Sequence, residues 1–198
     1  MDNGARRAAV ERKTRETAVA VQIVLDGTGT AEVDTGLPFF DHMLTLWAVH
    51  GLFDLGVRAE GDLAVDGHHT VEDVGITLGQ ALSKALGDRK GIRRYGTAFV
   101  PMDEALAQVS LDLSNRPYLV WRLPALTERV GSFQTELAPE FFRALCQHGG
   151  ITAHILVPHG SNSHHILEAV FKAFGRALDE AVRLEPRRSA VPSSKGVL

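Results

Sequence analysis

The chain contains the pattern His-His-x-x-Glu twice, at one constant spacing. Residues 68–82 read HHTVEDVGITLGQAL and residues 164–178 read HHILEAVFKAFGRAL, so the second copy begins 96 residues after the first. Histidine nitrogens and carboxylate oxygens are common ligands of divalent transition metals. Two copies of such a pattern in register indicate two equivalent metal sites.

The spacing within each copy indicates how the ligands are shared. Residues three or four apart on a helix lie on one face, so Glu72 can act together with His68 or with His69. Adjacent residues point about 100° apart around a helix axis, so the two histidines of a pair cannot easily bind one ion together. We therefore expect each histidine of a pair to serve a different ion. Nitrogen and carboxylate ligands with open positions suit Mn²⁺, Fe²⁺ or Zn²⁺ in a catalytic role.

A second pair of similar segments supplies further ligands. Residues 41–51 read DHMLTLWAVHG and residues 139–149 read PEFFRALCQHG. Aligning them places Glu140 opposite His42, and each of these two side chains is expected to give one ion its fourth ligand. The offset here is two residues larger than for the histidine pairs, which a shorter loop in the second copy explains.

The elements that position these ligands follow from the same duplication. We expect two copies of one unit, residues 15–92 and 93–185, each containing strands, a helix, a strand and a second helix. Residues 1–14 are expected to form a flexible tail, and residues 186–198 an irregular tail rich in Pro, Ser and Gly. The alternating segment TAVAVQIVLDGTG, with its Asp-Gly turn, predicts a hairpin.

Two side chains are candidates for the helix caps in front of the histidine pairs. Asp66 and Asn162 each lie two residues before a pair, and both residue types are favoured at the N-cap. Capping there would place each pair in the first turn of its helix.

Composition excludes several classes of function. The chain has 198 residues, 44% of them hydrophobic, and a formal net charge of −3 without a basic stripe, so nucleic acid is not an expected partner. No apolar run approaches the roughly 20 residues that a membrane span needs. The single cysteine, Cys146, excludes an intrachain disulfide framework and fits a reducing compartment, so we expect a cytoplasmic protein.

Longer stretches of the sequence match one known enzyme family. The matching stretches are RKTRET (12–17), LDGTG (25–29), TGLPFFDHML (35–44), HHTVEDVGITLGQALSKALGDRKGI (68–92), RYGTAFVPMDEAL (94–106), LDLSNRP (111–117), NSHHILEAVFKAFGRAL (162–178) and VPSSKG (191–196). On these residues the chain closely resembles the imidazoleglycerol-phosphate dehydratases of histidine biosynthesis over almost its whole length. The combination of FDHML with a doubled HHxxE is very specific for that family.

The resemblance implies a fold and an assembly. The fold is α+β, an internally duplicated two-half subunit whose helices pack between two four-stranded sheets (ribosomal protein S5 domain 2-like). It implies a homo-oligomer of 24 subunits that acts on a small phosphorylated imidazole substrate. It also implies two Mn²⁺ ions per active site, at subunit interfaces.

The resemblance assigns the metal ligands to two sets. One ion is expected to take His42, His69, Glu72 and His164. The other is expected to take His68, Glu140, His165 and Glu168. Many family members have His where this chain has Glu140, which makes Glu140 a departure from the family pattern, although its carboxylate can still supply an oxygen ligand.

The resemblance implies a hydro-lyase that converts imidazole-glycerol phosphate into imidazole-acetol phosphate and water. Glu16 is the leading acid/base and substrate-binding candidate, and an exposed charge at a strand start is its alternative. His50 is a second catalytic and substrate-binding candidate, with a cation at a helix C-terminus as its alternative. Glu72 and Glu168 are catalytic candidates mainly as ligands. Asp103 is a weaker catalytic candidate that, with its neighbour Glu104, could instead orient the histidines.

The phosphate group of such a substrate needs cations with several hydrogen-bond donors. The positions that match the family's phosphate-binding residues are Arg94, Arg116, Lys172, Ser194 and Lys195. Their alternative is ordinary surface charge. The tail that carries Ser194 and Lys195 is expected to close over the substrate, whereas Arg89 is expected to lie in solvent.

Two other classes of function fit the same ligands. A dinuclear metal hydrolase would release inorganic phosphate, whereas dehydration leaves the phosphate attached and creates a ketone. A metal-storage or metal-sensing assembly would need no phosphate pocket.

Overall fold

The computed structural model describes residues 6–196 and residue 198. The first half contains β1 (Arg7–Lys13), β2 (Thr17–Val24), β3 (Ala31–Asp34), α1 (Pro38–Gly51), β4 (Asp54–Gly61) and α2 (His68–Leu86). The second half contains β5 (Tyr95–Met102), β6 (Ala105–Asp112), β7 (Tyr118–Arg122), β8 (Arg129–Val130), β9 (Phe133–Gln134), α3 (Leu137–Gly149), β10 (Thr152–His159) and α4 (Ser163–Val182).

The two halves share one topology, which confirms the duplication. The first sheet has the strand order β1-β2-β4-β3 and the second has the order β5-β6-β10-β7. In each sheet the last pair is parallel and the other pairs are antiparallel. The short β8–β9 hairpin lies only in the second half of the described chain. The α+β fold with two four-stranded sheets and four helices agrees with the expectation.

The four helices lie between the sheets because each sheet buries one face. Along β2, Val19, Val21 and Ile23 alternate with exposed residues and point into the core. Helix α2 packs on the first sheet and α4 on the second, and the helices meet in two pairs, α1 with α4 and α2 with α3. One apolar core therefore joins both halves.

Glycines allow the paired helices to approach closely. A Cβ atom at Gly175 of α4 would lie 2.4 Å from the carbonyl oxygen of Trp47 in α1. A Cβ atom at Gly75 of α2 would lie 2.7 Å from the carbonyl oxygen of Phe141 in α3. Larger side chains would push the helices of each pair apart, together with the ligands that they carry.

The beginning of the chain differs from the expected flexible tail of residues 1–14. Residues 1–5 lie outside the described part, but Arg7–Lys13 form β1, which pairs antiparallel with β2. Ala8 and Val10 pack against the core, which explains why this segment is a strand. The first repeat half therefore begins at β1 rather than at residue 15.

The predicted hairpin at the Asp-Gly turn is wrong. Strand β2 pairs with β1 and β4, and β3 lies at the sheet edge, parallel to β4. Asp54 at the start of β4 accepts hydrogen bonds from the backbone N–H groups of Thr28 and Thr30, at 2.8 and 3.1 Å. These bonds direct the chain across the end of β4 instead of back along β2.

In the part of the chain that the structure describes, no helix is both long and apolar enough to cross a membrane.

Candidate metal centre and cationic cleft

Helices α1 and α4 bring three potential metal ligands together. His42, His164 and Glu168 each offer a ligand atom, and these atoms lie within 4.8 Å of one another. The Oε2 atom of Glu168 lies 3.2 Å from Nε2 of His164 and 3.6 Å from Nε2 of His42. The two helices run side by side in the same direction, since Gly51 of α1 in turn meets Gly175 of α4. We call these three residues the metal cluster.

Local structure fixes the start of α4 and thereby the histidine pair. The Asn162 side chain accepts hydrogen bonds from the backbone N–H groups of His164 and His165, at 2.9 and 3.3 Å. This confirms Asn162 as the N-cap. His164 and Glu168 are four residues apart, so one face of α4 presents both side chains to α1.

The carboxylate of the metal cluster is held in its ionised form. Glu168 is only 7% exposed, and burial alone would raise its pKa. The hydrogen bond and the positive charge of Lys172, one turn further along α4, outweigh that effect, and His164 and His42 add to it, so the pKa lies below its usual value. A buried, ionised carboxylate beside two imidazoles is a suitable ligand set for a divalent cation.

Among the described residues, the histidine pair of the first repeat is not part of a comparable group of three ligands within one chain. Nε2 of His68 lies 3.8 Å from Oε2 of Glu72 on α2. The N-cap position is Gly67 rather than Asp66, although the Asp66 side chain still accepts a hydrogen bond from the backbone of His68 at 2.8 Å. Glu140 lies on α3, which packs against α2, but its carboxylate forms an ion pair with Arg143.

The grouping of ligands within one chain differs from the expected sets. Glu168 lies with His42 and His164, not with the second set of ligands. Glu168 groups with His164 because residues four apart on α4 lie on the same face of the helix. His69 and His165, the second histidines of each pair, contact other carboxylates.

Glu104, in the turn between β5 and β6, orients His165. Its Oε2 lies 2.7 Å from Nδ1 of His165, and its Oε1 accepts hydrogen bonds from the backbone N–H groups of Ser161 and Asn162. The hydrogen bond to His165 holds the pKa of Glu104 far below its usual range, and in return it raises the pKa of His165. With Nδ1 bound to a carboxylate, Nε2 is the nitrogen left for a metal. Asp103 lies 3.7 Å from that Nε2.

Asp62 has the same relation to His69. Its two carboxylate oxygens lie 3.2 and 3.1 Å from Nδ1 of His69, and this hydrogen bond raises the pKa of His69. Sequence reasoning missed Asp62, because the matching loop of the second copy, residues 158–162, contains no carboxylate. Glu16, in the turn between β1 and β2, lies 3.9 Å from the same nitrogen and is largely exposed.

Four of the five expected phosphate-binding residues line one cleft of ≈ 420 Å³, which we call the cationic cleft. They are Arg94, Arg116, Ser194 and Lys195. Asp112 holds the Arg94 guanidinium with two bonds, at 2.6 and 3.1 Å, whereas the Arg116 side chain is 67% exposed. Two arginines and a lysine therefore line this cleft, and Asp112 lies 2.6 Å from Arg94 and 3.6 Å from Arg116.

The cationic cleft lies at the far end of α4 from the metal cluster. The backbone N–H of Arg94 donates to the carbonyl of Ala181, thirteen residues after Glu168. At 1.5 Å per helical residue, the two regions of one chain are about 20 Å apart. Lys172, the fifth expected phosphate-binding residue, is bound to Glu168 and lies at the metal cluster instead.

His50 lies away from the metal cluster within one chain. It is eight residues after His42, which corresponds to about 12 Å along α1. It lines a different cleft, together with Arg176. Burial lowers its pKa, and the positive charges of Lys172 and Arg176 lower it further.

Comparisons with known proteins identify relatives of this chain. A family model described as imidazoleglycerol-phosphate dehydratase matches residues 35–178. A relative of that name from Syntrophobacter fumaroxidans is 66% identical over 98% of this chain and 99% of its own length. Another from Thermoanaerobacter pseudethanolicus is 59% identical over 98% of this chain and 100% of its own length.

Solved structures of such enzymes have the same fold. The Staphylococcus aureus enzyme superposes with a TM-score of 0.81 at 41% identity, covering 90% of this chain and 99% of that one. The Pyrococcus furiosus enzyme, in complex with (S)-C348, superposes with a TM-score of 0.83 at 39% identity, covering 96% and 100%. The chain therefore belongs to the imidazoleglycerol-phosphate dehydratase family.

Proposed function

We propose that the protein dehydrates D-erythro-imidazole-glycerol phosphate to imidazole-acetol phosphate and water, a metal-dependent step of histidine biosynthesis. The observation that carries the proposal is the metal cluster of His42, His164 and Glu168 in a member of this hydro-lyase family. A particle of 24 subunits is inferred from the family resemblance, and a cytoplasmic location from the single cysteine, which fits a reducing compartment.

The ligand set fits a pair of Mn²⁺ ions. His42, His164 and Glu168 would hold one ion, with His68 and Glu72 contributing to the other. His69 and His165 would bind through Nε2, since their Nδ1 atoms face Asp62 and Glu104. A bound ion would act as a Lewis acid toward the substrate's imidazole, which has no neighbouring carbonyl group to stabilise charge when the adjacent C–H proton is removed.

The distance between the metal cluster and the cationic cleft supports an active site shared by subunits. A substrate made of one imidazole ring, a three-carbon chain and one phosphate cannot span the about 20 Å that separate the two regions of one chain. The phosphate must therefore meet the cationic cleft of a neighbouring subunit. Lys172, one turn from Glu168, would bind the same phosphate from the subunit that supplies the metal cluster.

Side chains of this protein would move the protons. Glu16 has an exposed carboxylate 3.9 Å from a nitrogen of His69. We assign it the acid/base role at the glycerol carbons, where one proton leaves carbon and the departing hydroxyl receives one. Glu72 and Glu168 act as ligands in this scheme, Asp103 and His50 remain weaker candidates, and the cations of the cleft hold the phosphate during the reaction.

The test is an assay for the ketone product with matched variants. Arg116→Ala should lower kcat/KM by about a hundredfold, since it removes charge-assisted hydrogen bonds to the phosphate. Arg58→Ala, which removes an exposed arginine from the first sheet, should leave kcat/KM unchanged. Release of inorganic phosphate instead of a ketone would indicate a hydrolase, and metal binding without turnover would indicate a storage protein.

A further inference from the structure

The linker between the two halves, residues 87–94, contains a buried arginine. Arg89 was expected in solvent but is only 4% exposed. Its Nη1 atom donates to the carbonyls of Leu113 and Gly150, at 2.9 and 3.1 Å, and its Nη2 atom donates to the carbonyl of Gly149 at 2.8 Å. Burying a guanidinium is costly unless its donors are satisfied, so these three bonds stabilise a charge that would otherwise favour solvent.

The carbonyls that Arg89 holds support the loop, residues 114–116, that forms one wall of the cationic cleft. Leu113 precedes the loop that carries Arg116. The Gly150 carbonyl also accepts a hydrogen bond from the backbone of Asn115 at 2.9 Å, and Asn115 adopts a left-handed conformation with φ 57°. Arg89 thus ties this strained loop to the end of α3, and the loop in turn positions Arg116.

The same linker holds the other wall of the cationic cleft. The backbone N–H of Gly91 donates to the carbonyl of Ala190 at 3.1 Å. The Arg94 side chain donates to the carbonyl of Pro192 at 2.7 Å. These bonds fix the segment that leads to Ser194 and Lys195. Both walls therefore rest on a linker of eight residues that joins the two repeats.

We propose that Arg89 is a positioning residue for phosphate recognition. Arg89 does not line the cationic cleft, but it sets the place of Arg116 through three backbone carbonyls. The proposal rests on the proposed function only in taking phosphate as the group that the cationic cleft binds.

Arg89→Lys tests the proposal with a small change in volume. Lysine keeps the charge but lacks the planar fork that reaches three carbonyls at once. The variant should raise KM, and the Kd of inorganic phosphate measured by calorimetry, by about tenfold, the equivalent of one charge-assisted hydrogen bond. The value of kcat should stay within about threefold of wild type, because a loss of phosphate binding that is equal in the ground state and the transition state raises KM alone.

Val21→Ala, in the core of the first sheet, is the control for a general loss of stability. It should lower the melting temperature without changing the Kd of phosphate. The double variant Arg89→Lys with Arg116→Ala should bind phosphate no more weakly than Arg116→Ala alone, because Arg89 acts through Arg116.

Two results would overturn the proposal: an unchanged Kd of phosphate in Arg89→Lys, or losses that multiply in the double variant. Phosphate binding can be measured without turnover. The role of Arg89 and the proposed function can therefore be refuted independently of each other. A wild-type protein without dehydratase activity would refute the proposed function, while a tenfold weaker phosphate affinity in Arg89→Lys would still support the role of Arg89.

Discussion

Two inactive variants should restore each other's activity when their subunits share one assembly. His164→Ala removes a ligand from the metal cluster, and Arg116→Ala removes a cation from the cationic cleft, about 20 Å away in the same chain. If each active site combines the metal cluster of one subunit with the cleft of its neighbour, a mixed assembly contains sites in which both parts are intact.

The expected activity follows from the number of intact sites. With equal amounts of the two variants and random assembly, half of the metal clusters and half of the clefts are intact, so about one quarter of the sites carry both. The variants should be produced together with two different affinity tags and purified over both in succession. The rate of ketone formation should then reach about one quarter of the wild-type rate.

A matched mixture separates this arrangement from a site within one chain. Wild-type subunits mixed with subunits carrying both substitutions should also give about one quarter of wild-type activity if sites are shared, but about one half if each chain holds a whole site. For the two single variants, a single-chain site predicts no recovered activity at all. An inactive mixture that retains both tags would therefore refute the shared site.

Three further predictions concern the requirement for metal, the carboxylate that orients His165, and the pH dependence of protein stability. Metal-stripped protein should lose activity and elute as a smaller species in size-exclusion chromatography, and added Mn²⁺ should restore both. Glu104→Gln should weaken Mn²⁺ affinity by about 10- to 100-fold in calorimetric titration, because His165 loses the carboxylate that orients it. Backbone hydrogen bonds from Thr28 and Thr30 lower the pKa of Asp54, so its stabilising effect is present at neutral pH and disappears as pH falls through the folded-state pKa. Asp54→Asn should consequently lower the urea midpoint at pH 7 but have little effect at strongly acidic pH.

Patterns with a local cause were predictable from the sequence. The helical spacing of apolar residues predicts the four helices of the described residues, and the repeated His-His-x-x-Glu indicates the duplication. Asn162 was predictable as a cap because the cap contact spans only two residues. His164 and Glu168 were predictable as neighbours for the same reason, since one turn of helix determines their separation.

Contacts between distant segments were not predictable in this way. The pairing of β3 with β4 depends on the bonds that Asp54 makes to the preceding loop, which no alternation of residues reveals. Asp62 has no counterpart in the second repeat, so the comparison of copies gave no signal for it. The burial of Arg89 depends on three carbonyls from segments 24 and about 60 residues further along the chain. A charged residue between Asp and Lys is ordinarily solvated, and the burial of Arg89 becomes visible only in the folded chain.

The two repeats differ in the carboxylate that orients the second histidine of each pair. In the second repeat, Glu104 lies in the turn between β5 and β6. Both of its carboxylate oxygens are hydrogen-bonded, one to His165 and the other to two backbone N–H groups. In the first repeat Asp62 orients the equivalent histidine, His69. Glu16, in the turn between β1 and β2 of that repeat, is exposed and lies 3.9 Å from Nδ1 of His69. Since a carboxylate locked by several hydrogen bonds exchanges protons poorly and an exposed one exchanges them readily, the divergence of the copies favours Glu16 over Glu104 for proton transfer.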